Sequence, residues 1–243
     1  MMMCLERMVG SCFWKFVDWC GGTSTGAIIC LALSKGFTLQ EVERMYLCMK
    51  NDVFKGSKPF CAGVFEDLLK SKFGQATMGA VISPKMMITT AITSSAPAKL
   101  KFFRSYVPLL TNDEKMTDLD YDDPKTISMW KAARCSSAAP SYFTKFVDNT
   151  GTYRSHRSVI SLGCGVARFV KVEESFTARF LSYASSTLGF LFDNTEVIKR
   201  QVSLKTPLFR FSPKLSNDVG VCENNDASLI EMMWDAEESL ESS

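Results

Sequence analysis

Histidine is nearly absent: His156 is the only one in 243 residues. With this lone His and no C-x-x-C pair, a zinc site of the Cys/His type is not expected, and any His-based catalysis rests on that one residue. An excess of charge of one sign is absent too. Lys plus Arg number 28 and Asp plus Glu 26, a formal net charge of +2. Non-specific nucleic-acid binding, which needs a strong basic field, is not expected. Long hydrophobic runs are missing as well. The longest, Ala27 to Leu33, spans seven residues, where a membrane span needs about 20. Glu6 and Arg7 interrupt the apolar N-terminus, so a signal peptide is not expected. The nine cysteines are scattered and include no C-x-x-C pair, the pattern of free thiols in a reducing cytosol. No internal repeat occurs, and nothing resembles a 33-residue ankyrin period.

What is there suits a globular domain. Hydrophobic residues make up 46% and charged residues 22%, enough for a sizeable core and too apolar for disorder. Phe13 to Trp19 reads as a short strand or the approach to one, broken by Gly21 and Gly22. Ser24 to Ser34 has the composition of a buried helix, with Gly36 as its stop. Thr38 with Glu41 is a capping box that opens a helix over about Leu39 to Lys50. Val64, Leu68, Leu69 and Phe73 recur at helical spacing, with Gly74 after them. Lys85 to Thr93 and Leu100 to Tyr106 are strand-like. Thr126 to Ser136 reads as a helix, Ser158 to Leu162 as a strand, and Glu173 to Leu204 as a broken helical stretch. Pro207 to Phe211 reads as a strand and Asp226 to Leu240 as a final amphipathic helix. Strands alternate with helices, and none alternates cleanly between polar and apolar residues. The expected class is α/β, with a buried, mostly parallel sheet covered by helices on both faces.

One motif carries chemistry. Gly22-Thr23-Ser24-Thr25-Gly26 is a G-x-S-x-G pentapeptide, with an apolar strand candidate before it and a small-residue helix after it. That is the setting of a nucleophile elbow. Such a turn holds the serine in a strained conformation, and glycines two residues to either side avoid collision. The helix opening at the serine directs its positive end at the hydroxyl and at an oxyanion formed there, to which the Thr25 N–H can donate. A serine nucleophile needs a base. His156 is one candidate, in an order of residues like that of an α/β-hydrolase esterase. Its setting, Tyr153-Arg154-Ser155-His156-Arg157, is polar and basic, and no apolar strand presents it. A Ser–Asp dyad, in which a carboxylate takes the proton directly, is the other.

Several segments together resemble the patatin-like phospholipase family, and within it the catalytic domain of group VI calcium-independent phospholipase A2. Phe16-Val17-Asp18-Trp19 ahead of G-G-T-S-T-G is similar to that family's approach to its nucleophile. Met45-Tyr46, Met49 to Phe54 and Gly56-Ser57-Lys58-Pro59 resemble it further on. So do Trp130 to Arg134 with Ser136 to Phe143, Ser161-Leu162-Gly163-Cys164-Gly165, Phe209-Arg210-Phe211 and the helix around Trp234. The resemblance spans about residues 5 to 240. It implies a three-layer sandwich with a mostly parallel central sheet and a Ser–Asp dyad that attacks the sn-2 ester of a glycerophospholipid. It implies no metal and no cofactor. Carried over, Ser24 is the nucleophile, Gly22 and Gly26 are the elbow glycines, and Thr23 and Thr25 complete the motif.

Two parts of the family pattern are not matched. Its Gly-rich oxyanion loop lies on a strand–loop–helix unit ahead of the elbow, and 23 residues precede Ser24 here, against roughly 30 or more for a βαβ unit. Residues 1–243 therefore read as a single patatin-like domain that is incomplete and truncated at its N-terminus. The family's catalytic Asp stands in D-G-G or D-G-A soon after A-A-P-x-Y-F. Asp148 is the only Asp near that place, and it lacks the glycines. On a second reading, Asp148 to Tyr153 is the turn before the catalytic strand and the true Asp is deleted.

The expected function is a serine acyl hydrolase of phospholipase A2 type in lipid metabolism, cytoplasmic and peripherally membrane-associated. The alternative is a catalytically dead homologue, a regulatory subunit that binds lipid or partners with itself or a full-length relative. The expected partners are a phospholipid surface and a fatty acyl substrate. Two segments suit a membrane-facing surface by composition: Lys99 to Arg104, which interleaves cations with aromatics, and Leu188 to Phe192.

Overall fold

The computed structural model describes residues 2–92, 99–107, 122–138, 142–143, 146, 166–167, 213–217, 219 and 223–241. The chain divides into two compact units, Met2–Ser158 and Val159–Ser243.

In the first unit, helix α1 (Met2–Val9) and a 3-10 turn (Phe13–Phe16) lead into strand β1 (Trp19–Gly22). The strand is displaced toward the C-terminus from its expected place and runs through Gly21 and Gly22 instead of stopping there. Parallel pairing explains this, because Gly21 and Gly22 lie in register with Met87 and Ile88 of β2 (Lys85–Ile92). Ladder hydrogen bonds there outweigh the weak strand preference of glycine.

Three helices make the crossover from β1 to β2. Helix α2 (Thr25–Ser34) buries Ala27, Ile28, Cys30, Leu31, Ala32 and Leu33, as its nearly uninterrupted apolar composition dictates. It ends where Gly36 takes φ +94°, a value a side chain would strain. Helix α3 (Leu39–Val53) starts at the expected capping box. The Glu41 N–H donates to Thr38 Oγ1, and the Thr38 N–H donates to the Glu41 carboxylate. Helix α4 (Ala62–Phe73) ends at Gly74, φ +57°. Its buried face is Phe65, Leu69 and Phe73, while Val64, expected in that stripe, is 43% exposed. The i, i+4, i+8 row wins because Phe65 stacks on Phe143 at 4.9 Å between ring centroids.

Strand β3 (Lys99–Arg104) pairs antiparallel with β2, giving the order β1-β2-β3. The sheet of the described residues is thus mixed, not mostly parallel. Residues 93–98 between β2 and β3 are too few for a parallel crossover, which takes a dozen or more. In β3, Phe103 and Lys101 are buried, and the Lys101 ammonium lies 3.3 Å from Asp122. The Lys99–Arg104 segment is therefore a strand with one face in the core. Its other face carries Leu100, 45% exposed, and Phe102, with the Arg104 guanidinium 4.8 Å above its ring. Helix α5 (Met129–Ser136) is shorter than expected and packs against α4 and β2.

In the second unit, β4 (Val166–Ala167) pairs parallel with β5 (Lys214–Leu215). Helix α6 (Asp226–Glu241) is capped by Asn225, whose Oδ1 accepts from the N–H groups of Ala227 and Ser228. Asp235 of α6 accepts from the N–H and hydroxyl of Ser216, both at 2.6 Å. The expected elements at Ser158–Leu162, Glu173–Leu204 and Pro207–Phe211 lie outside the described residues, as does Leu188–Phe192.

Candidate active site

Ser24 stands between the end of β1 and the start of α2, with φ +54° and ψ −119°. It is the only non-glycine residue at positive φ among the described residues. Such a conformation costs about 1–3 kcal/mol and persists only where the surroundings impose it. Here they do so from three sides. Ahead of the serine, Gly22 is packed so closely that a Cβ on it would lie 2.5 Å from the carbonyl carbon and oxygen of Gly26 and 2.7 Å from the Ala27 nitrogen. Behind it, the Ser24 carbonyl accepts from the Ile28 N–H at 3.2 Å, the first turn of α2. From the side, the Ser24 N–H donates to the hydroxyl oxygen of Ser136 at 2.8 Å.

The two glycines of the motif are not equivalent. Gly22 is demanded by the clash just described. A Cβ built on Gly26 meets nothing within 4 Å, so the expected collision on that side does not occur. The reason is directional: Gly26 offers its backbone, not its Cβ direction, to the strand. The Gly26 N–H closes the turn on the Thr23 carbonyl at 2.9 Å. Thr25 is exposed and opens the helix, where the first N–H groups lack an intrahelical acceptor. The Ser24 hydroxyl does not cap α2, so the helix makes no claim on the oxygen expected to be the nucleophile.

The surroundings tie three elements to the elbow. The Thr23 and Thr89 hydroxyls are hydrogen-bonded to each other, linking the elbow to β2. The next residue on β2, Thr90, donates its hydroxyl to the Cys135 carbonyl at 3.2 Å, linking β2 to α5. The neighbour of Cys135 is Ser136, which holds the Ser24 N–H. Thr89 and Ser136 were given no role by sequence reasoning. The S-S-A-A-P segment was legible as part of the family resemblance, but nothing in it announces a bond to a residue 112 positions away.

Helix α5 is itself anchored by Arg134, which is fully buried. Its Nε lies 3.1 Å from the Glu66 carboxylate, and its guanidinium sits 5.7 Å and 5.3 Å from the rings of Phe143 and Phe146. Burial pulls Arg134 below the ordinary guanidinium value, while the Glu66 charge and hydrogen bond act the other way. Phe143 in turn closes an aromatic cluster with Phe54, Phe60 and Phe65.

Asp148 and His156, the two candidate bases, lie outside the described residues. Among the described residues, no group of three His, Cys, Asp or Glu side chains is placed to share a metal ion.

A sequence model of the patatin-like phospholipase family matches residues 11–162. Among curated proteins, the chain is 27% identical to the rat 85/88 kDa calcium-independent phospholipase A2, over 98% of this chain and 36% of that protein. It is 25% identical to an intracellular phospholipase A2 of Caenorhabditis elegans, over 97% of this chain and 26% of that protein. The chain thus spans about a third or less of these relatives. The alignment to the rat protein runs over 293 positions, more than the 243 residues of this chain, so that relative carries intervening residues that this one lacks. The family match covers both the strained Ser24 turn and the α5 segment that steadies it, and on that ground the chain belongs to the patatin-like phospholipase family.

Proposed function

We propose that this chain is a serine acyl hydrolase of calcium-independent phospholipase A2 type, acting on the sn-2 ester of glycerophospholipids. One observation carries the reading: Ser24 holds a strained backbone conformation at a strand-to-helix turn, with Gly22 packed on the Gly26 backbone. That arrangement has a cost in stability and serves to present a hydroxyl at a helix N-terminus. In the proposed reaction, Asp148 takes the Ser24 proton as the oxygen attacks the ester carbonyl. The Thr25 N–H and the α2 dipole stabilise the oxyanion. Collapse expels the lysophospholipid, and water then releases the fatty acid from Ser24. No metal or cofactor takes part.

The relatives align across both units, which supports reading residues 1–243 as one patatin-like domain. We place it in the cytoplasm, peripherally on a membrane. No helix among the described residues is long and apolar enough to cross one.

A serine-directed fluorophosphonate probe tests the proposal. Labelling is expected at Ser24, absent in Ser24→Ala and strongly reduced in Asp148→Asn. Absence of labelling in the folded wild type overturns it in favour of a catalytically dead homologue. Full labelling of Asp148→Asn removes Asp148 from the dyad.

A further inference from the structure

The elbow that presents Ser24 also brings together two cysteines. Cys20 lies in β1, two residues before Gly22, and Cys30 lies in the second turn of α2. Because the chain reverses at Ser24, the helix packs back on the strand, and the Cys20 thiol faces Cys30 Sγ as donor to acceptor, the two sulfur atoms 2.6 Å apart. A disulfide bond is about 2.05 Å long, so little movement separates the dithiol from it. Cys30 is 7% exposed and its Sγ lies 3.7 Å from the Gly21 carbonyl oxygen. Cys20 is only half-buried and is the thiol a reagent meets first. The proposed hydrolysis uses neither sulfur.

We propose that Cys20 and Cys30 form a reversible dithiol–disulfide couple that cross-links β1 to α2 across the Ser24 turn, with a low-molecular-weight disulfide as oxidant. The Cys20 thiolate attacks one sulfur of the small disulfide, breaking its S–S bond and releasing one thiolate. The Cys30 sulfur then attacks Cys20 Sγ, breaking the mixed disulfide and releasing the second thiolate. The two protein thiols lose two electrons, the small disulfide gains them, and the two protons leave with the released thiols. A dithiol reverses the sequence. The neighbouring thiol of Cys30 holds Cys20 below the ordinary thiol value, against the opposing effect of burial, which favours Cys20 as the entering nucleophile. Cys30, bonded to Cys20 and buried, is pushed up; it stays protonated while Cys20 attacks and gives up its proton as it closes the protein disulfide. The inference does not depend on the proposed lipid hydrolysis.

The chain itself supplies the assay. No Lys or Arg lies between Lys15 and Lys35, so trypsin releases Phe16–Lys35 with both cysteines in one peptide. Folded wild-type protein is equilibrated with mixtures of glutathione disulfide and glutathione, quenched with acid, alkylated with iodoacetamide under denaturing conditions and digested without reductant. The peptide is expected to carry two alkyl groups in reducing mixtures. In oxidising mixtures it should carry none and be lighter by two hydrogens, and dithiothreitol should reverse the change. The urea-unfolded chain should need at least a tenfold more oxidising mixture, because it lacks the juxtaposition. Cys30→Ala should trap a glutathione adduct on Cys20. Two alkyl groups at every ratio in the folded protein overturn the proposal. So does a glutathione adduct on wild-type Cys20 with Cys30 still alkylated, or equal oxidation of folded and unfolded chains.

Discussion

The Ser24 N–H donates to the Ser136 hydroxyl oxygen at 2.8 Å, joining the strained turn to the C-terminal end of α5 across 112 residues. Ser24 supplies the nucleophile in the proposed reaction, and Ser136 fixes the peptide plane from which that hydroxyl projects. Ser136→Ala leaves this N–H without its acceptor, a loss of about 1–3 kcal/mol. Part of that loss is expected as a lower unfolding midpoint and part as at least tenfold slower fluorophosphonate labelling of Ser24. Ser136→Thr keeps the oxygen and should restore labelling. A purely structural role for Ser136 would lower the midpoint and leave the labelling rate of the folded fraction unchanged.

The two elbow glycines separate under substitution. Gly22→Ala drives a methyl group against the Gly26 backbone, which cannot yield without moving α2. A loss of about 1–3 kcal/mol in chemical denaturation is expected. Gly26→Ala places its methyl group in open space and gains up to about 1 kcal/mol of helix propensity. Equal effects of the two substitutions would contradict the close packing of Gly22 and the open space at Gly26.

Glu66→Ala removes the carboxylate beside a fully buried guanidinium. Breaking such a pair costs about 3–5 kcal/mol. The lower end is expected, because the Glu66 side chain is partly exposed. Urea unfolding measures the loss, and Ser24 labelling should fall with it, since α5 carries Ser136.

The capping box titrates. Glu41 accepts from the Thr38 N–H at 2.7 Å and from its hydroxyl at 2.9 Å, which holds its carboxyl below the ordinary value. The folded-state value thus lies below the unfolded one. The stabilisation is complete at neutral pH and is lost as pH falls through the folded value. A carbon-13 NMR titration of Glu41 is expected to show a midpoint below that of a model peptide. In Thr38→Ala the hydroxyl's share of that shift should disappear and the midpoint should move up.

Much of the local structure was legible in the residues. The Thr38–Glu41 box, the stop at Gly74, the buried helix after Ser24 and the G-x-S-x-G turn each depend on neighbours within about four positions. Side-chain capping, glycine's tolerance of positive φ and helical periodicity all act over that range. Tertiary structure decided the rest. Strand β1 extends through Gly21 and Gly22 only because β2, more than sixty residues on, supplies its ladder. The sheet became mixed because of a short β2–β3 connection. Gly26 proved free of the clash expected of it, because the angle between strand and helix, which no pentapeptide encodes, sets where a Cβ points. The partners of the elbow, Thr89 and Ser136, and the Cys20–Cys30 pair arise from crossovers and chain reversal, where distance along the sequence says nothing about distance in space.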